Sequence, residues 1–348
     1  MSSPLRAAIV GTGIFATDTH LPTIQKISDI KPNVAYNRTK SKAETFAEKA
    51  GIPKENVLDT LEDVFKSNQV DFVDALLPVQ YNLDAIKLAV EHKKPICFEK
   101  PIAANLTQAK EIVKLCKEST LPIMVLENWA YMTSIKTLKE EIIPKIGEVV
   151  SFTYHATGPY DDTSKYLQTS WRMNPEHVGG YLSDGGVHQL ALLTEVLGPV
   201  DTISAQTRQL RKTSGDDDIL YSTMKLKSGV IGSFTYGSTF GATDKTTYFK
   251  IFGTAGSVTY DWSPALGKPT ITYQTGESVK TSGEKTTIQV DVNDTIKAEF
   301  ENFAEALKAN DKSLIVSTPE KAFHHFAIIV AAIESSKDNG SLVTVTTV

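Results

Sequence analysis

Two short segments of the sequence hold ionisable side chains of the kind that enzymes use. In the first, the apolar run 95–98 has the character of a short buried strand, yet it leads directly into Glu99 and Lys100. In the second, Asp184 and His188 lie four residues apart in a predicted helix, so both could point into one pocket. Histidine exchanges protons near neutral pH, and a carboxylate one turn away can orient it. A helix-capping aspartate with a packed histidine explains the second segment equally well.

A glycine-rich loop near the N-terminus predicts a dinucleotide site. An apolar strand pattern runs through Gly11-x-Gly13-x-x-Ala16 into a helix pattern. The first glycine permits a tight turn, the second lets the backbone approach a pyrophosphate, and the small alanine allows the helix to pack closely on the strand. Glycines that only turn the chain are the alternative, but the position at the first strand-to-helix crossover favours the dinucleotide. The other loop residues expected to contact it are Thr12, Ile14 and Phe15.

The end of the second predicted strand favours NADP(H) over NAD(H). NAD sites usually carry an acid there, which accepts from the ribose hydroxyls and would repel the 2'-phosphate of NADP. This chain has Asn37 at that position, and the adjacent Arg38 can meet a phosphate with a planar pair of donors. Thr39, Ser41 and Lys42 can add hydroxyl or ammonium contacts. A solvated basic turn is the alternative, but the loss of the acid coincides with the gain of the arginine.

The order of the predicted elements indicates two domains. From residue 5 to about 127, short apolar runs alternate with amphipathic helical patterns, which predicts a parallel sheet with helices on both faces over 1–127. Beyond it, alternating strands and glycine turns predict a mainly antiparallel sheet within 128–348, with late helices near 294–309 and 319–336. A length of 348 residues is enough for two domains with separate cores.

The composition argues against several partners. Charged residues make up 22% and hydrophobic residues 41%, with a net charge of -5, which is ordinary for a globular protein and wrong for a nucleic-acid binder. The apolar run 326–333 is less than half the length that spans a bilayer, so no membrane partner is expected. The two cysteines, Cys97 and Cys116, lie in apolar surroundings, which predicts buried thiols in a reducing compartment, the cytoplasm.

Several other histidines receive no chemical role. His324 and His325 lie in an apolar helix pattern without a second ligand motif, so no metal site is expected. His20 follows the glycine loop and precedes a proline turn, where it could cap a helix or pack near the cofactor.

Taken in order, these motifs resemble the glucose-fructose oxidoreductase, inositol dehydrogenase and rhizopine-catabolism family. The matching residues are the glycine loop at 11–16, Glu99-Lys100-Pro101, Gly179-Gly180, Asp184-x-Gly186-x-His188, a helix opened at 317–320 and a last strand near 342–345. The resemblance covers nearly the whole chain and is nearest to fungal NADP(H)-dependent members. It implies an α/β Rossmann domain, then an α+β domain with a large, mainly antiparallel open sheet, and a homodimer.

The resemblance also implies roles for residues. In such enzymes the lysine of Glu-Lys-Pro reaches the nicotinamide and the reacting oxygen, where its ammonium stabilises charge on a carbonyl oxygen during hydride transfer. Lys100 would therefore polarise the substrate oxygen, His188 would exchange the proton, and Asp184 would orient His188 or hold a neighbouring hydroxyl. The further cofactor contacts that the resemblance implies are Leu77, Pro78, Asn82, Glu99, Asn128, Trp171 and Arg172.

Two departures from the family pattern leave the substrate open. Asn82 stands where members often have histidine, and Ala191 stands where an acid is frequent. Both changes alter the polar lining of the pocket but leave Lys100 and His188 in place. We predict an NADP(H)-dependent oxidoreductase that interconverts a carbonyl and an alcohol on a small polar substrate, a sugar derivative or an aldehyde. The alternatives are a non-catalytic NADP(H)-binding regulator and a cofactor-dependent glycosidase.

Overall fold

The computed structural model describes residues 3–165, 169 and 173–348. They form two compact units: the first contains residues up to 128 together with 294–323, and the second contains 129–293 and 324–347. Residues 294–323 therefore follow most of the second unit in sequence but pack in the first. The division into domains over 1–127 and 128–348 stays a prediction.

A parallel sheet forms the centre of the first unit. Its strands are β1 (Leu5–Val10), β2 (Ile30–Tyr36), β3 (Phe72–Ala75), β4 (Ile96–Glu99) and β5 (Ile123–Leu126). Their order across the sheet is β2-β1-β3-β4-β5, and every pairing is parallel. The helices between them are α1 (π-helical Ala16–His20, then α-helical Leu21–Ile24), α2 (Lys40–Ala50), α3 (Leu61–Lys66), α4 (Asn82–Glu91) and α5 (Leu106–Glu118). The predicted Rossmann arrangement is confirmed.

The second unit contains a larger, mostly antiparallel sheet. Its strands are β6 (Val149–Pro159), β7 (Val200–Arg208), β8 (Ile219–Leu226), β9 (Ile231–Phe240), β10 (Thr246–Gly253), β11 (Gly256–Asp261), β12 (Thr270–Thr275), β13 (Thr286–Gln289) and β14 (Val343–Thr344). The order is β13-β12-β11-β10-β6-β9-β8-β7-β14, with β6 and β9 parallel to each other. This confirms the predicted α+β domain.

The described residues also form α6 (Thr133–Lys136, continued by π-helical Thr137–Ile142), α7 (Gly180–Leu197), α8 (Thr295–Ala309) and α9 (Pro319–Lys337). Short 3-10 turns lie at Lys54–Asn56, Val79–Tyr81, Asn128–Tyr131, Ile143–Lys145, Lys212–Ser214, Pro264–Leu266, Val279–Thr281 and Lys312–Leu314. In the part of the chain that the structure describes, no helix has the length and apolarity needed to cross a bilayer.

Helix α8 completes the core of the first unit. Phe300 and Phe303 from α8 are fully buried, and the ring of Phe303 meets Phe72 of β3 edge to face with centroids 5.4 Å apart. The helix begins after Asp294, whose side chain accepts from the amide of Lys297 and so caps the first turn. Because α8 buries an aromatic face on the first sheet, it packs in the first unit although the strands of that sheet lie far earlier in the sequence.

Candidate functional site

Parallel pairing brings several predicted site residues to one edge of the first sheet. Strands β1, β3, β4 and β5 all run in the same direction, so the residues that follow them lie at a common carboxyl edge. The predicted residues at this edge are Gly11, Pro78, Lys100 and Asn128. In open α/β sheets, ligands bind at the carboxyl edge, where the strand order reverses, and here the reversal lies between β1 and β3.

The glycine loop has the geometry that a dinucleotide requires. Gly11 has φ +89°, its amide donates to the carbonyl of Tyr36 (2.9 Å), and a Cβ on it would lie 2.2 Å from the Leu76 carbonyl oxygen. A Cβ on Gly13, by contrast, would meet no described atom within 4 Å. The Thr12 hydroxyl is buried and has no hydrogen-bond partner among the described residues. A backbone that is open in front of Gly13, next to an unsatisfied hydroxyl, fits a phosphate group.

The basic turn after β2 is built for exposed positive charge. Asn37 is used locally, because its side-chain oxygen accepts from the Thr39 amide (2.9 Å) and closes the turn before α2. Lys40 is neutralised by Asp59, with Nζ 2.6 Å from a carboxylate oxygen. Arg38 is exposed and makes no ion pair with any described residue. This turn therefore keeps one guanidinium without a neighbouring counter-charge.

A depression of about 220 Å³ lies between the glycine-loop segment and α2, the helix that follows this turn. Its lining is polar and basic apart from one ring, and consists of Thr12, Thr17, Ser41, Lys42, Thr45, Phe46 and Lys49. Lys42 is exposed and, like Arg38, has no ion-pair partner in the described part of the chain. The depression offers hydroxyls and ammonium groups to an anion beside the loop.

A buried asparagine holds the turn that carries Lys100. The side-chain nitrogen of Asn82 donates to the carbonyl oxygens of Glu99 (3.2 Å), Pro101 (3.2 Å) and Ile102 (3.3 Å). The Lys100–Pro101 peptide bond is cis. The amide nitrogen of Asn82 is thus engaged with the backbone on both sides of Lys100, which fixes the position of that residue. The predicted contact of Asn82 with the cofactor stays a prediction.

His20 is a member of this site that the sequence analysis left without a role. It is fully buried, with Nδ1 2.8 Å from an Asp74 oxygen and Nε2 3.2 Å from a Glu99 oxygen, the latter an ion-pair distance without hydrogen-bond alignment. Burial lowers the pKa of His20, but the two carboxylates outweigh it and raise that pKa to about 10. Its place directly after the glycine loop was the available signal. The sequence did not show that Asp74 and Glu99 would meet it.

Helix α7 carries Asp184 and His188 one turn apart, as predicted, and both are half-buried. The glycines of this segment have identifiable tasks. Gly179 lies in the left-handed region at the start of the helix (φ +84°), and a Cβ on Gly185 would lie 2.0 Å from the Tyr236 hydroxyl oxygen. Gly185 thus lets the Tyr236 hydroxyl approach the backbone of α7 beside Asp184.

Tyr236 was not anticipated from the sequence. Its ring is buried and stacks on Tyr181, with centroids 5.5 Å apart and an interplanar angle of 9°. Burial raises the pKa of the Tyr236 hydroxyl well above its usual value, and Tyr181 and the charge of Asp184 act in the same direction. Tyr236 therefore stays protonated at physiological pH.

A chain of aromatic contacts begins at His188. Trp129 stacks on the imidazole with centroids 5.7 Å apart and an interplanar angle of 22°, and Trp262 meets Trp129 edge to face at 6.3 Å. Tyr260 stacks on Trp262 in turn at 4.9 Å. Trp129, His188 and Trp262 are half-buried, so their rings are partly open to solvent. We call the Trp129 and Trp262 rings together the aromatic shelf.

The other predicted residues are distributed between the two units. Leu77, Pro78 and Asn128 are half-buried in the first unit, where the Asn128 amide donates to the Thr295 hydroxyl (2.7 Å). Lys100 belongs to the first unit, and Asp184 and His188 belong to the second. Trp171 and Arg172 lie outside the described residues. Within those residues no cluster of three or more histidine, cysteine and acidic side chains could hold a metal ion.

Comparison with known proteins identifies similar chains along the whole length. Residues 5–127 match a family model described as "Oxidoreductase family, NAD-binding Rossmann fold", and residues 139–345 match "Oxidoreductase family, C-terminal alpha/beta domain". An uncharacterized protein of Saccharomyces cerevisiae is 50% identical over 347 residues, which are 99% of each chain. D-xylose 1-dehydrogenase (NADP(+)) 2 of Haloferax volcanii is 23% identical over 87% of this chain and 89% of its own. A crystal structure of an oxidoreductase from Thermotoga maritima has a TM-score of 0.85 at 30% identity, with 98% of both chains covered.

Replacing Gly13 with alanine should separate folding from cofactor binding. The added methyl group meets open space, so thermal unfolding should be unchanged. The backbone can no longer approach a pyrophosphate closely, and the loss of one hydrogen bond would cost about 1–3 kcal/mol of NADPH affinity. Gly241→Ala is the matched control, because a Cβ there also meets open space. Fluorescence titration should show weaker NADPH binding to Gly13→Ala alone, and equal affinity in both variants would contradict the assignment.

Proposed function

Because the chain belongs to the Gfo/Idh/MocA oxidoreductase family, we propose that it transfers a hydride between NADP(H) and a carbonyl or alcohol group of a small polar substrate. The observation that carries this proposal is the position of Lys100. It follows β4 directly, at the same carboxyl edge of the sheet as the glycine loop. An ammonium held at this edge can stabilise negative charge on a substrate oxygen while the charge develops.

Each polar residue has a separate task in this proposal. The nicotinamide, when bound, supplies or accepts the hydride. Lys100 binds and polarises the substrate oxygen, and His188 gives or takes its proton. Asp184, one turn earlier on α7, orients His188 or holds a neighbouring hydroxyl of the substrate. Trp129, stacked on the imidazole, restricts the orientation of the ring and so supports a directed proton transfer.

The choice of NADP(H) is supported by the charges after β2. Asn37 closes a turn and brings no negative charge to the ribose, while Arg38 and Lys42 are exposed without ion-pair partners among the described residues. A 2'-phosphate would supply the missing counter-charge, and a planar guanidinium suits its oxygens.

A cyclic sugar is the substrate class that the second unit supports. Trp129 is half-buried and stacks on His188, and such an aromatic ring beside the imidazole suits the carbon-bound hydrogens of a sugar ring more than a short open-chain aldehyde. A relative named as a D-xylose dehydrogenase agrees with this class. A screen of cyclic sugars, polyols and open-chain aldehydes with NADPH and NADP tests it; turnover with the aldehydes alone would contradict it.

A homodimer and a cytoplasmic location belong to the same proposal. Tyr221 and Ile231 project from one face of the nine-stranded sheet, with 50% and 59% of their surfaces exposed. A second copy of the chain would remove these side chains from water. Light scattering at micromolar concentration should report a dimer, and a monomer would contradict it. Two free, buried cysteines agree with a reducing compartment.

Arg38→Ala should weaken NADPH binding much more than NADH binding. The loss of a charged hydrogen bond to a phosphate costs about 1.5–3 kcal/mol. Lys40→Ala is the matched control, because this neighbouring lysine is already paired with Asp59 and should discriminate little between the two cofactors. Titrations of both variants with both cofactors provide the measurement. An equal loss of NADPH and NADH affinity in Arg38→Ala would rule out the 2'-phosphate contact.

Lys100→Met should retain NADPH binding within a few fold but lose turnover. Methionine keeps most of the side-chain length without the charge, and removing one electrostatic stabiliser of this kind costs about 2.7–4 kcal/mol, roughly a hundredfold to a thousandfold in rate. His188→Ala should lose about a hundredfold and flatten the pH dependence. Because both groups would act on one oxygen, the double variant should lose less than the product of the single losses.

The control for Lys100 is Lys110→Met, which removes an exposed lysine of α5. Its turnover should equal that of the unmodified chain. Near-normal turnover in Lys100→Met would favour the non-catalytic regulator. Product formation without any net change in NADPH absorbance would favour the cofactor-dependent glycosidase.

A further inference from the structure

A buried ion cluster lies directly behind the turn that carries Lys100. His20 from α1 lies between Asp74 of β3 and Glu99 of β4, with 2.8 Å and 3.2 Å between the facing atoms. His20 and Asp74 are fully buried, and the Glu99 side chain is 17% exposed. Taking three charged groups out of water is costly, and a pair of this kind is by itself weak support for fold stability. The position of this ion cluster next to the turn that carries Lys100 allows it to hold that turn in place.

The groups that face His20 determine its charge. Besides Asp74 and Glu99, they are Glu299 of α8 and, close to Asp74, Cys97 of β4. Burial raises the pKa of the Glu299 carboxyl and of the Cys97 thiol well above their usual values, which disfavours the charged form of both groups. Glu127 is a further acid that adds negative charge near Glu299. The imidazolium of His20 therefore compensates the charge of the two carboxylates that lie against its ring nitrogens.

Two aromatic rings restrict the imidazole from its sides. The Phe15 ring lies at 5.0 Å with an interplanar angle of 62°, and the Phe300 ring lies at 5.1 Å and 89°. The ring of His20 thus has little freedom to tilt, and its nitrogens stay directed at Asp74 and Glu99. A side chain held in this way can define the position of its partners.

The Glu99-Lys100-Pro101 turn is consequently anchored twice. Asn82 holds its backbone through three carbonyl oxygens, and His20 holds the Glu99 side chain through its carboxylate. His20 also belongs to the helix that follows the glycine loop, so one residue contacts both cofactor-side segments of the unit. Neither Asn82 nor His20 acts on the substrate in the proposed reaction.

We propose that His20 is a positioning residue: its imidazolium fixes Glu99 and, through it, sets Lys100 relative to the glycine loop. This inference rests on the proposed role of Lys100 in turnover. Loss of the cation would leave two facing carboxylates without compensation, and the turn would shift to separate them or to admit water. The ammonium of Lys100 would then be displaced from the developing charge, which slows the chemical step more than it weakens cofactor binding.

His20→Gln tests this role. Glutamine keeps a hydrogen-bond donor but not the charge, so we expect turnover to fall at least about tenfold while the NADPH dissociation constant changes only a few fold. The matched control is His324→Gln. His324 is a half-buried histidine that accepts from the Val200 amide (3.0 Å), and desolvation lowers its pKa to about 4, so it is neutral. The control should retain normal turnover.

A second measurement reads the charge directly. The ¹⁵N shifts of the His20 ring should be those of an imidazolium from pH 6.5 to about 9, because the folded pKa is raised from 6.5 to about 10. The stability that His20 contributes is fully present below pH 6.5 and is lost as the pH rises through about 10. The difference in unfolding free energy between the unmodified chain and His20→Gln should therefore shrink over that range. A neutral ring at pH 7.5 would overturn the proposal.

Glu99→Gln removes the charge on the other side of the His20–Glu99 pair. It also serves as the test if His20→Gln does not fold. It should lose turnover to a similar extent, and the double variant should lose no more than the larger single loss. Equal turnover per folded molecule in His20→Gln and the unmodified chain, with only a lower melting temperature, would make His20 structural and overturn the inference. Normal turnover in Lys100→Met would contradict the proposed function. If a crystal structure of His20→Gln shows the lysine turn unmoved, the proposed function can still hold, but the positioning role of His20 is wrong.

Discussion

Parallel pairing of β1 with β3, β3 with β4 and β4 with β5 is the constraint on which the rest of the first unit depends. Because the carboxyl ends of these strands meet at one edge, segments that are far apart in sequence become neighbours there. Close approach at this edge limits the residue types. Gly11 lies against the Leu76 carbonyl oxygen, where no side chain fits. The glycine and the lysine turn thus share an edge for topological reasons before any chemistry is considered.

Several buried polar groups lie near the same edge and need hydrogen-bond or ion-pair partners within the protein. Asn82 donates to the backbone around Lys100, and His20 lies between Asp74 and Glu99. A buried polar group without a partner is costly, so each of these contacts restricts its neighbours to a narrow range of positions. The two opposite charges at the end of β4, Glu99 and Lys100, therefore have different surroundings. Glu99 turns towards a buried cation, whereas the neighbouring lysine is the residue that we assign to the substrate.

In the second unit, glycines in α7 permit a similarly close approach between helix and sheet. Helix α7 carries glycine at 185 and 186, and the Tyr236 hydroxyl occupies the space that a Cβ at 185 would fill. The close approach of sheet and helix determines where Asp184 and His188 lie, since both are on the same helix. In the aromatic shelf, Trp129 stacks on the imidazole and Trp262 packs against Trp129 from another segment of the chain. The imidazole of His188 and the ring of Trp129 are thereby placed side by side.

The sequence by itself determined most of the strands and helices, and it supplied the candidates for the reactive residues. Apolar periodicity located the strands of the first sheet and the long helices, because burial on one face leaves a repeating pattern, and motif order identified the family. It did not reveal β12 and β13, whose threonine-rich sequences leave little apolar pattern at one end of the second sheet. Nor did it show the role of His20 or the surroundings of His188. Their partners are 54 to 79 residues away in one case and 59 residues away in the other, at Trp129. Contacts of that kind are decided only when the strands pair and the helices pack, because periodicity describes which face of an element is buried and not which side chain it will meet.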